Sequence, residues 1–353
     1  MRKLYQNATF YLIVFIISYF IYVYPFEILN DLLFNETSNR RLSLYYSLII
    51  SVLVIFYFRS KNTFLPLKIL VYEGMGVGFI SFWIVNLVLI FKYFFSINEY
   101  FLGIIALTLI SLISFYALIY SRFVFLKTIK ISSKKINHNY KFIFISDVHL
   151  GSNSTSHLKK ILKKIQTTHY DFILIGGDLI DSNSYDINNL SLFNSIDKPI
   201  YFVTGNHEYY ISEYKIKLDQ LSSFGIKILD NKHYQINDIN LIGISDNQSL
   251  KEQSSKFFQL NNNSKFNLLL IHKPSIWNQV KNNVDLMLSG HTHNGQIFPF
   301  NFLVRLQFKY KYGLYRNKNS YLYVSSGSGC WGPRLRLGTS NEIIFIELSA
   351  YRD

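Results

Sequence analysis

Asp147 and His149 lie two residues apart just after an apolar run, residues 141–146 (KFIFIS), and His291 and His293 follow another, residues 284–289 (VDLMLS). Along extended backbone, side chains two apart face the same way. Each pair therefore presents two groups able to bind metal on one side. Three further apolar runs finish in the same manner: 171–177 leads to Asp178, 199–205 to Asn206 and His207, and 266–271 to His272. In open α/β sheets, ligands gather beyond the carboxyl ends of the strands. Five strand ends that carry Asp, Asn or His thus predict one pocket with oxygen and nitrogen donors for two divalent cations. A single Gly-Asp pair is often only a turn, and a lone histidine is more often structural. The coincidence of all five argues for a metal site.

Such a site would support metal-assisted hydrolysis, with attack at phosphorus as one form of it. Two dications about 3.5–4 Å apart lower the pKa of a bridging water, hold phosphate oxygens and neutralise developing charge. A metal-bridging hydroxide would then attack in line, with no covalent enzyme intermediate. Mixed His, Asp and Asn donors suit Mn, Fe or Zn better than Mg or Ca. The chain has no Gly-x-Ser-x-Gly elbow and no Gly-rich loop ending in Lys-Ser/Thr, so neither acyl transfer nor triphosphate cradling is indicated. The remaining histidines, His138, His157, His169 and His233, lie off the strand ends and read as surface or structural residues. Cys330, the lone cysteine, reads as a packed thiol.

Stepping from these residues to what must hold them, the chain after Asp147 alternates strand-like and helix-like segments. Residues 157–166 place Leu158, Ile161, Leu162 and Ile165 on one helical face and four lysines on the other. Helical patterns recur at 186–195 and 212–224. Strands follow at 226–229, 234–236 and 239–244, the last two around an Asn237-Asp238 turn, and again at 321–325 and 342–348. That order predicts an α/β (α+β) domain of two packed sheets with helices outside. Residues 127–135 alternate basic and apolar types, as in an edge strand guarded by lysine. Residues 298–318 mix Phe, Leu and Tyr with Arg and Lys, and read as an apolar, basic lip beside the pocket.

The first third is different in kind. Four apolar stretches, 9–26, 42–58, 69–91 and 101–120, each approach the ~20 residues a spanning helix needs. An aromatic content of 17% and a mean hydropathy of +0.15 agree. The first stretch reads as a span rather than a cleaved signal, since no small-residue cleavage site follows it. Arg2, Lys3, Arg59, Lys61, Lys68, Arg122, Lys127, Lys130, Lys134 and Lys135 then fall on one side, against Arg40, Arg41 and Lys92 on the other. This places both termini and the soluble domain in the cytoplasm, and the chain in the cell (inner) membrane as a multi-pass protein. Arg40 and Arg41 read as helix-end anchors, and Glu73, beside Gly74, Gly76 and Gly78, as a snorkelling carboxylate or a site of close helix packing. A transmembrane domain, 1–122, and a soluble domain, 123–353, result. The net charge of +14 fits anionic headgroups or phosphate-bearing substrates.

Asp147-Val-His149, Gly176-Gly-Asp178, Gly205-Asn-His-Glu208, His272 and Gly290-His-Thr-His293 together resemble the signature of the calcineurin-like metallophosphoesterases, over about residues 125–353. Gly205-Asn-His-Glu-Tyr-Tyr210, Gly295-Gln-Ile297 and residues 335–342 look most like the membrane-associated YkuE-type branch, which also contains a pyrophosphatase acting on UDP-2,3-diacylglucosamine. The resemblance implies a four-layer αββα sandwich. It implies that Asp147, His149 and His293 hold one metal, that Asn206, His272 and His291 hold the second, and that Asp178 bridges both. His207 would bind no metal but stand over the phosphoryl group. Asn294 occupies a place where relatives often have glycine, and Asn tolerates left-handed backbone. The expected partners are a phosphoester substrate, lipid-linked or at the membrane surface, and the bilayer; nucleic acid is disfavoured and no protein partner is indicated. Two alternatives stand beside this reading. One is a nuclease or cyclic-nucleotide phosphodiesterase, and the other a non-catalytic membrane sensor that keeps the metal site.

Overall fold

The computed structural model describes residues 2–60 and 64–351, the side chains of residues 2–7 excepted. Lys61, and the side chains of Arg2 and Lys3, whose charges enter the expected orientation, lie outside the described residues. The chain divides into two compact units, Met1–Ile119 with Gly332–Leu335, and Tyr120–Trp331 with Arg336–Asp353.

The first unit is helical: α1 (Arg2–Ser18), α2 (Tyr24–Phe34), α3 (Arg40–Arg59), α4 (Leu65–Phe94) and α5 (Glu99–Tyr120). A π-helical turn, Tyr19–Val23, joins α1 to α2 just before Pro25, whose missing N–H loosens the regular ladder there. Ala8–Phe34, α3, α4 and α5 are each long and apolar enough to cross a membrane. The first exceeds the 9–26 expected from hydropathy because Glu27 and Asp31 find partners without ending the helix. Tyr19 donates to Glu27, and the Ser38 N–H to Asp31. Asn39 caps α3 by accepting from the N–H groups of Arg41 and Leu42, which leaves both arginines exposed on its first turn. On α4, a Cβ at Gly78 would sit 2.0 Å from the Ile21 carbonyl oxygen, so glycine there sets how closely α4 meets the π-turn. Glu73 is paired: its Oε1 lies 2.6 Å from Arg334 Nε within this unit.

The second unit contains two six-stranded sheets. The first runs in the order β1 (Val124–Ser133), β12 (Asn341–Ala350), β2 (Tyr140–Ile145), β3 (Phe172–Ile175), β4 (Ile200–Phe202), β5 (Ile226–Ile228). The second runs β10 (Gly313–Asn317), β11 (Ser320–Val324), β9 (Leu286–Ser289), β8 (Phe266–Ile271), β7 (Ile239–Ile244), β6 (Lys232–Ile236). Strands β2, β3, β4 and β5 are parallel neighbours, as are β7, β8 and β9. Burial follows from alternation. Phe142, Phe144, Phe172 and Leu174 of the first sheet share one apolar cluster with Leu241, Leu268, Leu270 and Leu288 of the second. The opposite faces meet helices. Ile143, Ile145 and Ile173 pack with Leu158, Ile161 and Ile165 of α6 (Thr155–Ile165). Two short helices, α7 (Asn206–Tyr210) and α8 (Tyr214–Ser223), follow β4, and Leu221 of α8 joins the same cluster. Ile242 and Leu269 pack with Phe257 of α9 (Leu250–Leu260) and Val280 of α10 (Trp277–Val280). The lysine-bearing β1 is an edge strand, as its alternation suggests. Residues 298–318, read from sequence as an apolar, basic lip or a packed loop, contain a helix, α11 (Phe300–Gln307), and strand β10.

Candidate metal centre

Every donor singled out in the sequence is delivered at the carboxyl end of β2, β3, β4, β8 or β9, three strands of one sheet and two of the other. The local reason differs from simple strand alternation. Asp147, His149, Asp178, His291 and His293 all have positive φ, between 48° and 74°. Each side chain is aimed by a left-handed kink after its strand rather than by the pleat. Such backbone is sparsely populated by residues with a Cβ and persists only where surroundings over-determine it. Asn294 is also left-handed, at φ 51°, as its side chain permits.

The surroundings are specific. Asp147 accepts from Ser146 Oγ at 2.6 Å and from the His291 N–H at 3.1 Å. A Cβ at Gly290 would sit 2.1 Å from Asp147 Oδ2, so only glycine admits that approach. Asp178 Oδ1 accepts from the His207 N–H at 2.9 Å, and a Cβ at Gly205 would sit 2.2 Å from the same oxygen. Glu208, buried, accepts from the backbone N–H groups of Asp178, Leu179, Ile180 and Gly205, and so ties the β3 loop to the β4 loop.

The donor atoms converge in three groups: Asp147, His149 and His293; His149, Asp178 and His207; and Asp178, His272 and His291, the ligand atoms of each lying within 4.8 Å of one another. His149 Nε2 faces His293 Nε2 at 3.0 Å, and His272 Nε2 faces His291 Nδ1 at 3.2 Å. Asp178 Oδ2 lies 3.1 Å from His272 Nε2 and 3.7 Å from His149 Nε2, within reach of both pairs. Asn206 Oδ1 is buried without a hydrogen-bond partner. Facing ring nitrogens, convergent carboxylates and an orphaned amide oxygen make a donor set that fits divalent transition-metal ions.

Electrostatics reinforce this. Burial opposes charge on Asp178, but the His272 ring, with His149 and His207 beyond it, holds the carboxyl well below the usual range. Burial likewise disfavours charge on His272, yet Asp178, Asp147 and Asp246 push it up to about 10. Burial lowers His207 to about 4, leaving a neutral ring. That ring is flanked by Tyr210 and Trp331, at centroid distances of 5.4 and 5.6 Å.

Residues outside the motif spellings complete the site. His149 Nδ1 lies 3.3 Å from Asp181 Oδ2, close enough for ion pairing though not aligned as a hydrogen bond. Asp181 in turn accepts from Ser152. Arg336 is fully buried and donates to the carbonyls of His293, Ser326 and Gly329. Arg336 falls in the 335–342 segment that carries the branch resemblance, whereas residue type and spacing give no signal for Asp181. His157, by contrast, is structural: its Nε2 pairs with the Ser328 carbonyl at 2.7 Å. Cys330 is buried, 3.6 Å from Asn341 Oδ1.

Residues 140–295 match the family model described as calcineurin-like phosphoesterase. A metallophosphoesterase of Aquifex aeolicus is 30% identical over 221 residues, 59% of this chain and 84% of that protein. The chain belongs to this family. A Helicobacter pylori metallophosphoesterase is 36% identical over 226 residues, 61% of each chain. A zebrafish (Danio rerio) protein described as a transmembrane protein with metallophosphoesterase domain is 30% identical over 239 residues, 59% of this chain and 53% of that one. The chain thus spans less than two thirds of the length of the first relatives it matches. Its clustered His and Asp residues accord with the divalent metals such a family implies.

Proposed function

We propose that the soluble unit hydrolyses a phosphoester or pyrophosphate bond, with Asp147, His149 and His293 holding one cation, Asn206, His272 and His291 a second, and Asp178 both. The observation that carries this is the reach of Asp178 Oδ2 to histidines of both pairs. Bound there, two dications would activate water for attack at phosphorus and neutralise the charge that develops. The protein's own residues supply the rest. His207 Nε2 stands 4.0 Å from Asp178 Oδ2, outside the facing histidine pairs, and its neutral ring can donate to a phosphoryl oxygen or serve the leaving oxygen. Asp181 and Arg336 are positioning residues that orient His149 and His293.

The substrate class we favour is lipid-linked or held at a membrane surface, a nucleotide-sugar lipid or a phospholipid, as the resemblance to the YkuE-type branch suggests. Four apolar helices in the same chain support it, as do transmembrane relatives from zebrafish and cattle (Bos taurus). The distribution of Lys and Arg supports a multi-pass protein with residues 123–353 on the cytoplasmic side. Asp178→Asn in the full chain should bind less metal and lose hydrolysis of an aryl phosphodiester in Mn²⁺. Unchanged turnover in a folded variant would contradict the assignment. A panel of lipid-linked and nucleotide phosphoesters should favour the former, and binding that collapses steeply with salt would point to nucleic acid instead.

A further inference from the structure

The helix α11 has no buried residue. Leu306 is 85% exposed, Phe302 58% and Leu303 53%, and Phe300 continues the same stripe. Arg305 and Lys309, both exposed, flank it. Exposed contiguous apolar surface of this kind marks an interaction site rather than a packed element. Residues 296–318 contain no Asp or Glu but five Lys or Arg. The surface is thus apolar in its middle and purely cationic at its margins, which is the pattern of a helix lying in an anionic lipid interface.

The helix is also bracketed by the metal centre. Six residues separate His293 from its first residue, and Phe308, just past its end, stacks edge-on with His291 at 5.2 Å. Eight residues are too few to bind a bilayer from solution with useful strength. This unit, however, starts immediately after α5, itself apolar and long enough to span, with Val124 four residues beyond Tyr120. A tether of that length makes docking intramolecular, so a modest preference suffices.

We infer that α11 is a membrane-surface docking element, its Phe302–Leu303–Leu306 stripe seated among the acyl chains of an anionic leaflet and Arg305 and Lys309 on its headgroups. The inference goes beyond the proposed reaction and is read without any substrate, so loss of hydrolysis would leave it standing.

The test uses the full chain reconstituted in bilayers of phosphatidylglycerol and phosphatidylcholine, with an environment-sensitive fluorophore on Leu306→Cys. A label on Ser255→Cys, on an exposed part of α9, serves as control, and the unsubstituted protein reports any labelling of buried Cys330. Shallow lipid-borne nitroxides should quench the label on α11 and spare the one on α9, while aqueous iodide should do the reverse. Arg305→Gln with Lys309→Gln should lower the docked-to-undocked ratio by about fivefold per charge removed. Equal quenching of both labels by iodide would overturn the inference. So would cross-linking of two copies through Leu306→Cys, which would make this face a protein–protein contact.

Discussion

Asp181 shows how a single side chain can matter without touching a cation. It faces the far nitrogen of His149, is itself fixed by Ser152, and is held below the ordinary carboxylate range by that histidine and that hydroxyl despite burial. A carboxylate behind a metal-binding imidazole fixes its tautomer and raises its basicity. Asp181→Asn should therefore weaken metal affinity or turnover by about 10–100-fold while the protein stays folded. Isothermal titration with Mn²⁺ beside a phosphodiesterase assay would read both, and an unaltered affinity and rate would remove Asp181 from the site. Spacing could not reveal this residue, because Asp181 lies three past Asp178 in an ordinary loop and its partner lies 32 residues upstream. The donors themselves were legible, since each follows an apolar run. The manner of their convergence was not, because a left-handed φ at Asp or His leaves no mark in residue type.

At the scale of elements, the apolar runs predicted most strands of both sheets, and the Leu158–Ile165 periodicity predicted the buried face of α6. Where burial is absent the same logic fails. α11 reads as an apolar, basic lip or a packed loop because its apolar residues face outward, and α9 was missed because its buried face is reduced to Gln253 and Phe257. The latter helix relies on its start. Ser249 Oγ accepts from the Glu252 N–H while Glu252 reaches back to the Ser249 N–H, a complete capping box. Ser249→Ala should destabilise the second unit by about 1 kcal/mol, seen as a lower thermal midpoint with unchanged activity at moderate temperature. A midpoint shift within error would show that packing of Phe257 alone fixes the helix.

For the whole molecule, metal and stability are linked. Two buried carboxylates and five histidines share one small volume, and burial together with Asp178 raises Asp147 above its ordinary range. Each cation bound there would favour the folded state by about 2.7 kcal/mol at a hundredfold excess over its Kd. Chelation should therefore lower the melting temperature of the second unit, and Mn²⁺ should restore it. Since carboxylates and imidazoles bind metal only when deprotonated, the restoration should fade as pH falls. A midpoint indifferent to chelator at neutral pH would argue that nothing is held at these strand ends.

Strand β12 sits between β1 and β2, parallel to one and antiparallel to the other, although it comes last in chain order among the described strands. Among the described residues, four apolar segments long enough to span a membrane and eleven strands therefore leave the ribosome before the piece that closes the first sheet. Until Asn341–Ala350 arrives, β1 and β2 each present an unfilled edge, an invitation to wrong pairing that chaperones must shield. A nascent chain stalled after Ser340 should reach the membrane yet remain protease-sensitive beyond Tyr120, whereas one released past Ala350 should resist.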